Sequence, residues 1–282
     1  MFWHFKEVLS AKPILRSLVN IVSGVSFKLR AMDVAIIGMC AALYAVVGRL
    51  TDFGVTFIGV AFWPAAVIPA IFAMLYGPWV GGTGAAIGIF ARDLLFHGDP
   101  VLSLIAGIPP NFVMFFIIGY VSQKRIDSKK LTVASVIAAI VMIAGLLLPT
   151  LIMPSEFAAV TGGLQSWVVV TIFVLTVGVS LAVIAYVSKR WPEWRSYSVG
   201  SVIGQGVGAA ILSVAVWGYS QLFFSATGYF KAPLQFSLIP ALFLWTFATE
   251  IPFILLFGPP VINASYHAFP SLRQKKTKSE GK

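Results

Sequence analysis

The sequence predicts an all-α membrane protein, a polytopic bundle of about eight transmembrane helices with both termini in the cytoplasm. Three observations predict it. Hydrophobic residues make up 59% of the 282 and charged residues only 11%, whereas soluble domains run near a quarter charged. Eight mostly apolar stretches reach the roughly 20 residues needed to cross ~30 Å of hydrocarbon. Basic residues concentrate in loops that stay inside, and under this arrangement seventeen of the twenty fall on one side, all but Arg49, Arg92 and Lys231.

The leading segment, 1–31, alternates Phe2, Trp3, Phe5, Leu9, Ile14, Leu15, Leu18 and Ile21 with Lys6, Lys12 and Arg16. That pattern fits a helix lying on the inner membrane face; a basic leader without regular structure is the alternative. No short apolar core followed by a small-residue cleavage site marks a removable signal peptide. The membrane domain then runs over 32–262, and a basic cytoplasmic tail over 263–282.

The first span, 32–48, is rich in small residues: Ala41 and Ala45 lie one turn apart, and Ala35, Gly38, Ala42 and Ala45 form a second track. It also holds Cys40, the single cysteine, so no disulfide framework is possible. The second span, 55–76, carries prolines. In the third, 78–96, Gly81, Gly84, Gly88 and Arg92 follow three- and four-residue steps and so share one helical face with Ala85 beside them. Small residues on a face admit another helix backbone, which predicts that this face, Arg92 included, points into the bundle.

The fourth span, 101–121, contains IPPN at 108–111, and two prolines in mid-span are expected to break the helix. The fifth and sixth, 131–153 and 163–187, are bounded by the basic clusters at 124–130 and 189–195. The seventh, 198–219, carries VGAAIL at 207–212, like TGAAIG at 83–88. This hints at a parallel repeat of two four-span halves, though glycine-rich helices resemble one another by composition alone. The eighth, 236–262, carries Glu250.

Polar groups inside these spans are the candidate substrate-binding residues, because an intramembrane charge is tolerated mainly beside a cavity or a partner. They are Arg92, Asp93, Asn111 and Glu250. Adjacent positions on a helix point about 100° apart, so Arg92 and Asp93 need not bridge each other; both could instead be anchors that snorkel to headgroups. Asn111 beside the prolines could bond a solute or repair freed backbone. Glu250 could be a proton site, a partner for Arg92, a ligand for a cationic solute, or a protonated carboxyl bonded to Gln205. Trp63, Trp217 and Trp245 are candidates for the apolar part of a site, although a belt of interfacial Trp is expected anyway.

Other chemistries are set aside. His4, His97 and His267 lie far apart without ligand spacing, so no metal site is expected, nor any cofactor. Neither GxxxxGK[ST] nor GxSxG occurs, so an ATPase or serine enzyme is not indicated. The net charge of +10 is a topology signal and points to no nucleic-acid partner.

The order DVAIIGMCAALYAVVGRL at 33–50, a loop with Asp52, a proline-bearing second span, and then YGPWVGG…GIFARD over 76–93 resembles the substrate-binding S components of energy-coupling factor transporters. The resemblance implies a subunit that captures a vitamin-like solute from outside and docks on a transmembrane coupling subunit with two ATPases. It also implies docking through Ala41 and Ala45, and an outer lid loop over 49–56 that includes Arg49 and Asp52. That family usually has six spans, two fewer than counted here. A stand-alone proton-coupled transporter using Glu250 and, less favoured, an intramembrane lipid enzyme are the rival readings.

Overall fold

The computed structural model describes residues 30–52, 56–96, 98–124 and 194–272, with isolated residues between 126 and 191. The chain divides into a leading unit, Met1–Met32, and a main unit, Asp33–Lys282. The expected amphipathic leader, the spans at 131–153 and 163–187 apart from isolated helical positions, and the tail beyond 272 lie outside the described residues.

Six helices carry the described part of the main unit: α1 (Ala31–Leu50), α2 (Val67–Tyr76), α3 (Pro78–Phe96), α4 (Pro100–Ser122), α5 (Arg195–Leu222) and α6 (Leu238–Ala268). Four of them, α1, α4, α5 and α6, are long and apolar enough to cross a membrane. This is a helical membrane protein. α4 packs against both α3 and α5, and α6 against α5 and α2.

The expected second span needs correction. Residues 56–61 form an antiparallel hairpin, β1 (Thr56–Phe57) and β2 (Val60–Ala61), and only then do a 3-10 turn at Pro64–Ala66 and α2 follow. Apolar length does not distinguish a span from an apolar hairpin joined to a short helix, and the aromatic and β-branched residues here favour strand. Thr56 pairs with Ala61 and Phe57 with Val60, which leaves a two-residue turn at Ile58 and Gly59. Both have positive φ, 47° and 80°, as such tight hairpin turns require. Glycine adopts this readily; a β-branched isoleucine does so only at a cost.

The expected break in the fourth span is also corrected. α4 does not stop at Pro109 and Pro110. It widens into a π-helical turn over Ser103–Gly107, so the prolines stand in the first turn of the α-helical stretch Ile108–Ser122, where a missing N–H does least harm. At the other end, α6 runs on to Ala268, so the first residues of the expected tail are helical.

Close approach explains the glycines of α3. A Cβ on Gly84 would lie 2.7 Å from the Cys40 side chain, and one on Gly88 would lie 2.8 Å from the Ala41 carbonyl oxygen. α1 therefore lies on the α3 face that the sequence marks as interior, and Gly81, Gly84, Ala85, Gly88 and Arg92 are all buried. That packing turns Ala41 and Ala45 inward. They are not an exposed docking track, contrary to expectation; Ala35, Gly38 and Ala42 occupy the outward face.

Gly88→Val is expected to weaken the α1–α3 contact, because the atom in its way is backbone, at a cost of about 1–3 kcal/mol. Gly38→Ala, with nothing within 4 Å, should leave stability unchanged or raise it. Thermal unfolding of the two variants in detergent checks this; equal midpoints would contradict the packing.

Candidate functional site

Arg92 lies on the inward face of α3 and is 4% exposed. Its Nη2 donates to Asp52 Oδ2 at 2.6 Å, and its Nη1 donates to Asp93 Oδ1 at 3.1 Å. Neighbouring side chains thus do bridge, although their places one helical step apart do not require it. The guanidinium also lies 4.5 Å from the Trp63 ring centroid and 4.2 Å from that of Phe96, an arrangement that favours a cation between two π faces. Among the described residues, Arg92 Nε has no hydrogen-bond partner. Arg92 does not snorkel.

Asp93 is fixed from its other side by Ser103, whose Oγ donates to Asp93 Oδ2 at 2.7 Å. The π turn brings Ser103 there, and Gly107 leaves the room: a Cβ at 107 would lie 2.8 Å from both oxygens. Asp52 follows the end of α1, and its side chain is buried in the ion pair. Arg49 does not belong to a loop at all. It sits, exposed, in the last turn of α1.

A second chain of bonds runs through the interior. Trp63 Nε1 donates to Tyr44 Oη at 2.7 Å, Tyr44 Oη donates to Asn111 Oδ1 at 2.7 Å, and Asn111 Nδ2 donates to the Gly107 carbonyl at 2.9 Å. Asn111 therefore bonds a backbone carbonyl one turn before it, and it also anchors Tyr44. The Trp63 ring occupies the space above Gly48, where any Cβ would overlap it. Tyr44 is a site residue that the sequence reading missed. Its only signal is a polar tip four residues past Cys40 on the small-residue face of an apolar span.

Glu250 stands on another wall. It is 5% exposed, and its Oε2 accepts from Gln205 Nε2 at 2.8 Å. The same amide nitrogen reaches the Thr246 carbonyl at 3.2 Å, while Gln205 Oε1 is buried without a partner. Of the alternatives open in the sequence, the contact with Gln205 is the one present. No ion pair with Arg92 forms.

These groups border one cavity. Arg92, Asp93, Asn111, Glu250, Trp63 and Tyr44 line it, together with apolar side chains from α3 to α5. About 80 Å³ is open to the centre of a water-sized sphere, room for several waters or part of a compact solute. The hairpin closes one end through Ile58, Gly59, Val60 and Ala61, joined by Tyr229 and Phe230 from the segment between α5 and α6. Tyr229 Oη donates to the Gly59 carbonyl at 3.2 Å, and burial pushes its phenol pKa above the ordinary 10.0, so it stays a donor. Asp99 caps α4 through Val101 N and Leu102 N, each at 3.0 Å, and also accepts from Tyr219 Oη of α5.

Trp217 and Trp245 do not line the cavity. Trp217 meets Phe236 edge-on, with centroids 5.5 Å apart. Trp245 Nε1 donates to the Val60 carbonyl at 2.8 Å, and its ring packs on Phe57, so it braces the hairpin from behind. Among the described residues no group of three or more His, Cys, Asp or Glu side chains is placed to hold a metal ion.

Residues 32–155, just under half of the chain, match the family model described as ECF transporter, substrate-specific component. The matched stretch is similar to an S component. No curated protein and no solved structure matches the chain. The S-component match is to a family of transporter substrate-binding subunits and not to an enzyme family. It spans the cavity residues Tyr44, Trp63, Arg92, Asp93 and Asn111, whereas Tyr229 and Glu250 lie beyond it.

Removing the guanidinium would strand two buried carboxylates, so Arg92→Met is expected to cost about 3–5 kcal/mol. Adding Asp52→Asn to that variant should recover part of the loss. A double-mutant cycle by denaturant titration in detergent measures the coupling, and simple additivity would contradict the ion pair.

Proposed function

We propose that this protein is the substrate-capture subunit of an energy-coupling factor type importer. It binds a small, vitamin-like solute from outside the cell, and partner subunits supply the energy of uptake from ATP. The observation that carries this reading is the cavity: buried polar groups from α1, α3, α4 and α6 converge on a small space with apolar walls, the usual make-up of a small-molecule site. The S-component match over the first half supports it, as does the absence of any phosphate-binding loop in the sequence. Arg92, Asp93, Asn111, Glu250 and Trp63 are the proposed binding residues, with Tyr44 added.

The proposed arrangement in the plasma membrane keeps eight crossings, the second made by the short helix below the hairpin, with 1–31 on the cytoplasmic face and both termini inside. This places the hairpin and the Tyr229 segment on the outer side, where they close the solute's entry. Docking on the transmembrane coupling subunit is assigned to the outward track of α1, Ala35, Gly38 and Ala42. Small residues there admit a partner helix closely, and Ala41 and Ala45 are already occupied by α3.

Co-expression with a transmembrane coupling subunit and its two ATPases tests the assignment. Gly38→Trp and Ala42→Trp are each expected to reduce recovery of the partners at least about tenfold without lowering the unfolding midpoint, since affinity through a close-packed face depends on approach distance. Ala41→Trp should lower the midpoint instead. Undiminished recovery with both outward variants would remove the docking proposal.

A further inference from the structure

We infer that the solute is an organic cation, an ammonium or amidinium group on an apolar or aromatic body, whose N–H groups bond Glu250. The inference deepens the capture reading and rests on it.

Charge around the cavity carries the argument. Among the described residues Arg92 is the single cationic side chain on its lining, and it is already held by two carboxylates and enclosed by two rings. Arg92, Asp52 and Asp93 together sum to one negative charge. Glu250 adds a further carboxyl from the opposite wall, and the partner it bonds is a neutral amide. A buried carboxylate without a cation is costly, because hydrogen bonds from an amide replace only part of its lost hydration. A carboxylate or phosphate solute would meet a surplus of its own sign there, at short range in a poorly screened site.

Hydrogen bonding points the same way. Gln205 is fully buried, and among the described residues its Oε1 has no partner. Turning the amide over would set Oε1 against the Thr246 carbonyl as well as the Glu250 carboxyl, so the nitrogen belongs where it is. The end of the cavity at Glu250 thus presents an acceptor that, among the described residues, a neutral amide alone bonds. The walls suit the rest of such a solute: Tyr44, Trp63, Tyr229 and Phe230 offer aromatic surface, which attracts organic cations. A bare metal ion fits poorly, because the carboxyls around the cavity are not grouped as a ligand set and metal sites need several converging donors.

The test uses the full-length chain purified in detergent, by native mass spectrometry and by thermal unfolding with benzylammonium, benzoate and benzyl alcohol as probes sharing one ring. The expected result is a co-purifying molecule with a basic nitrogen, or stabilisation by benzylammonium above both other probes. Glu250→Gln should then raise the Kd for benzylammonium at least about tenfold, as loss of a charge-assisted bond does. An anionic or neutral bound molecule, or stronger stabilisation by benzoate or benzyl alcohol, would overturn the inference and leave solute capture standing. No co-purifying molecule and no response to any probe would overturn both. The mass measurement needs no variant, so poor folding of Glu250→Gln does not blunt it.

Discussion

A guanidinium held among apolar helices is the constraint on which the rest of the structure depends. Left alone, that charge would cost several kcal/mol. Asp52 and Asp93 neutralise it, and Trp63 and Phe96 cover its faces. Satisfying Arg92 therefore fixes the end of α1, the last turns of α3 and the residue just before the 3-10 turn relative to one another. The glycines of α3 serve the same end, because Asp52 reaches Arg92 only if α1 lies against α3 at backbone distance. So does the π turn of α4, which delivers Ser103 to the far oxygen of Asp93.

The cavity has a divided origin. Its Arg92 side and the Trp63–Tyr44–Asn111 relay come from the stretch that matches the S-component model, while Glu250, Gln205 and Tyr229 come from the later part of the chain. The first set is cross-linked internally and leaves few polar atoms unmet. The second pairs a carboxyl with an amide, and among the described residues the amide oxygen is left unmet.

Much of this was legible from residue type. A charge or amide in an apolar span has few places to go, and Arg92, Asp93, Asn111 and Glu250 all border the cavity. The helices α1, α3, α4, α5 and α6 followed from apolar length and glycine spacing. Where length alone spoke, the reading failed: the hairpin at 56–61 is as hydrophobic as a helix. Helical phase defeated the docking track, since Ala41 and Ala42 are one step of about 100° apart and nothing in the sequence says which small face α3 will take. Tyr44 escaped notice because tyrosine is ordinary in membrane helices, and its importance comes from Trp63 and Asn111, distant in the chain. Trp245 has a role, but a structural one: its indole N–H serves the hairpin backbone.

The turn at Ile58 carries a consequence of its own. An isoleucine with φ of 47° sits about 1–3 kcal/mol above its relaxed backbone, and two bonds from elsewhere, Tyr229 to Gly59 and Trp245 to Val60, keep it there. The hairpin is cocked like a sprung shutter, with its catches on a different part of the chain. Losing either catch would let the backbone relax, so the shape of the hairpin is held by bonds from outside its own two strands.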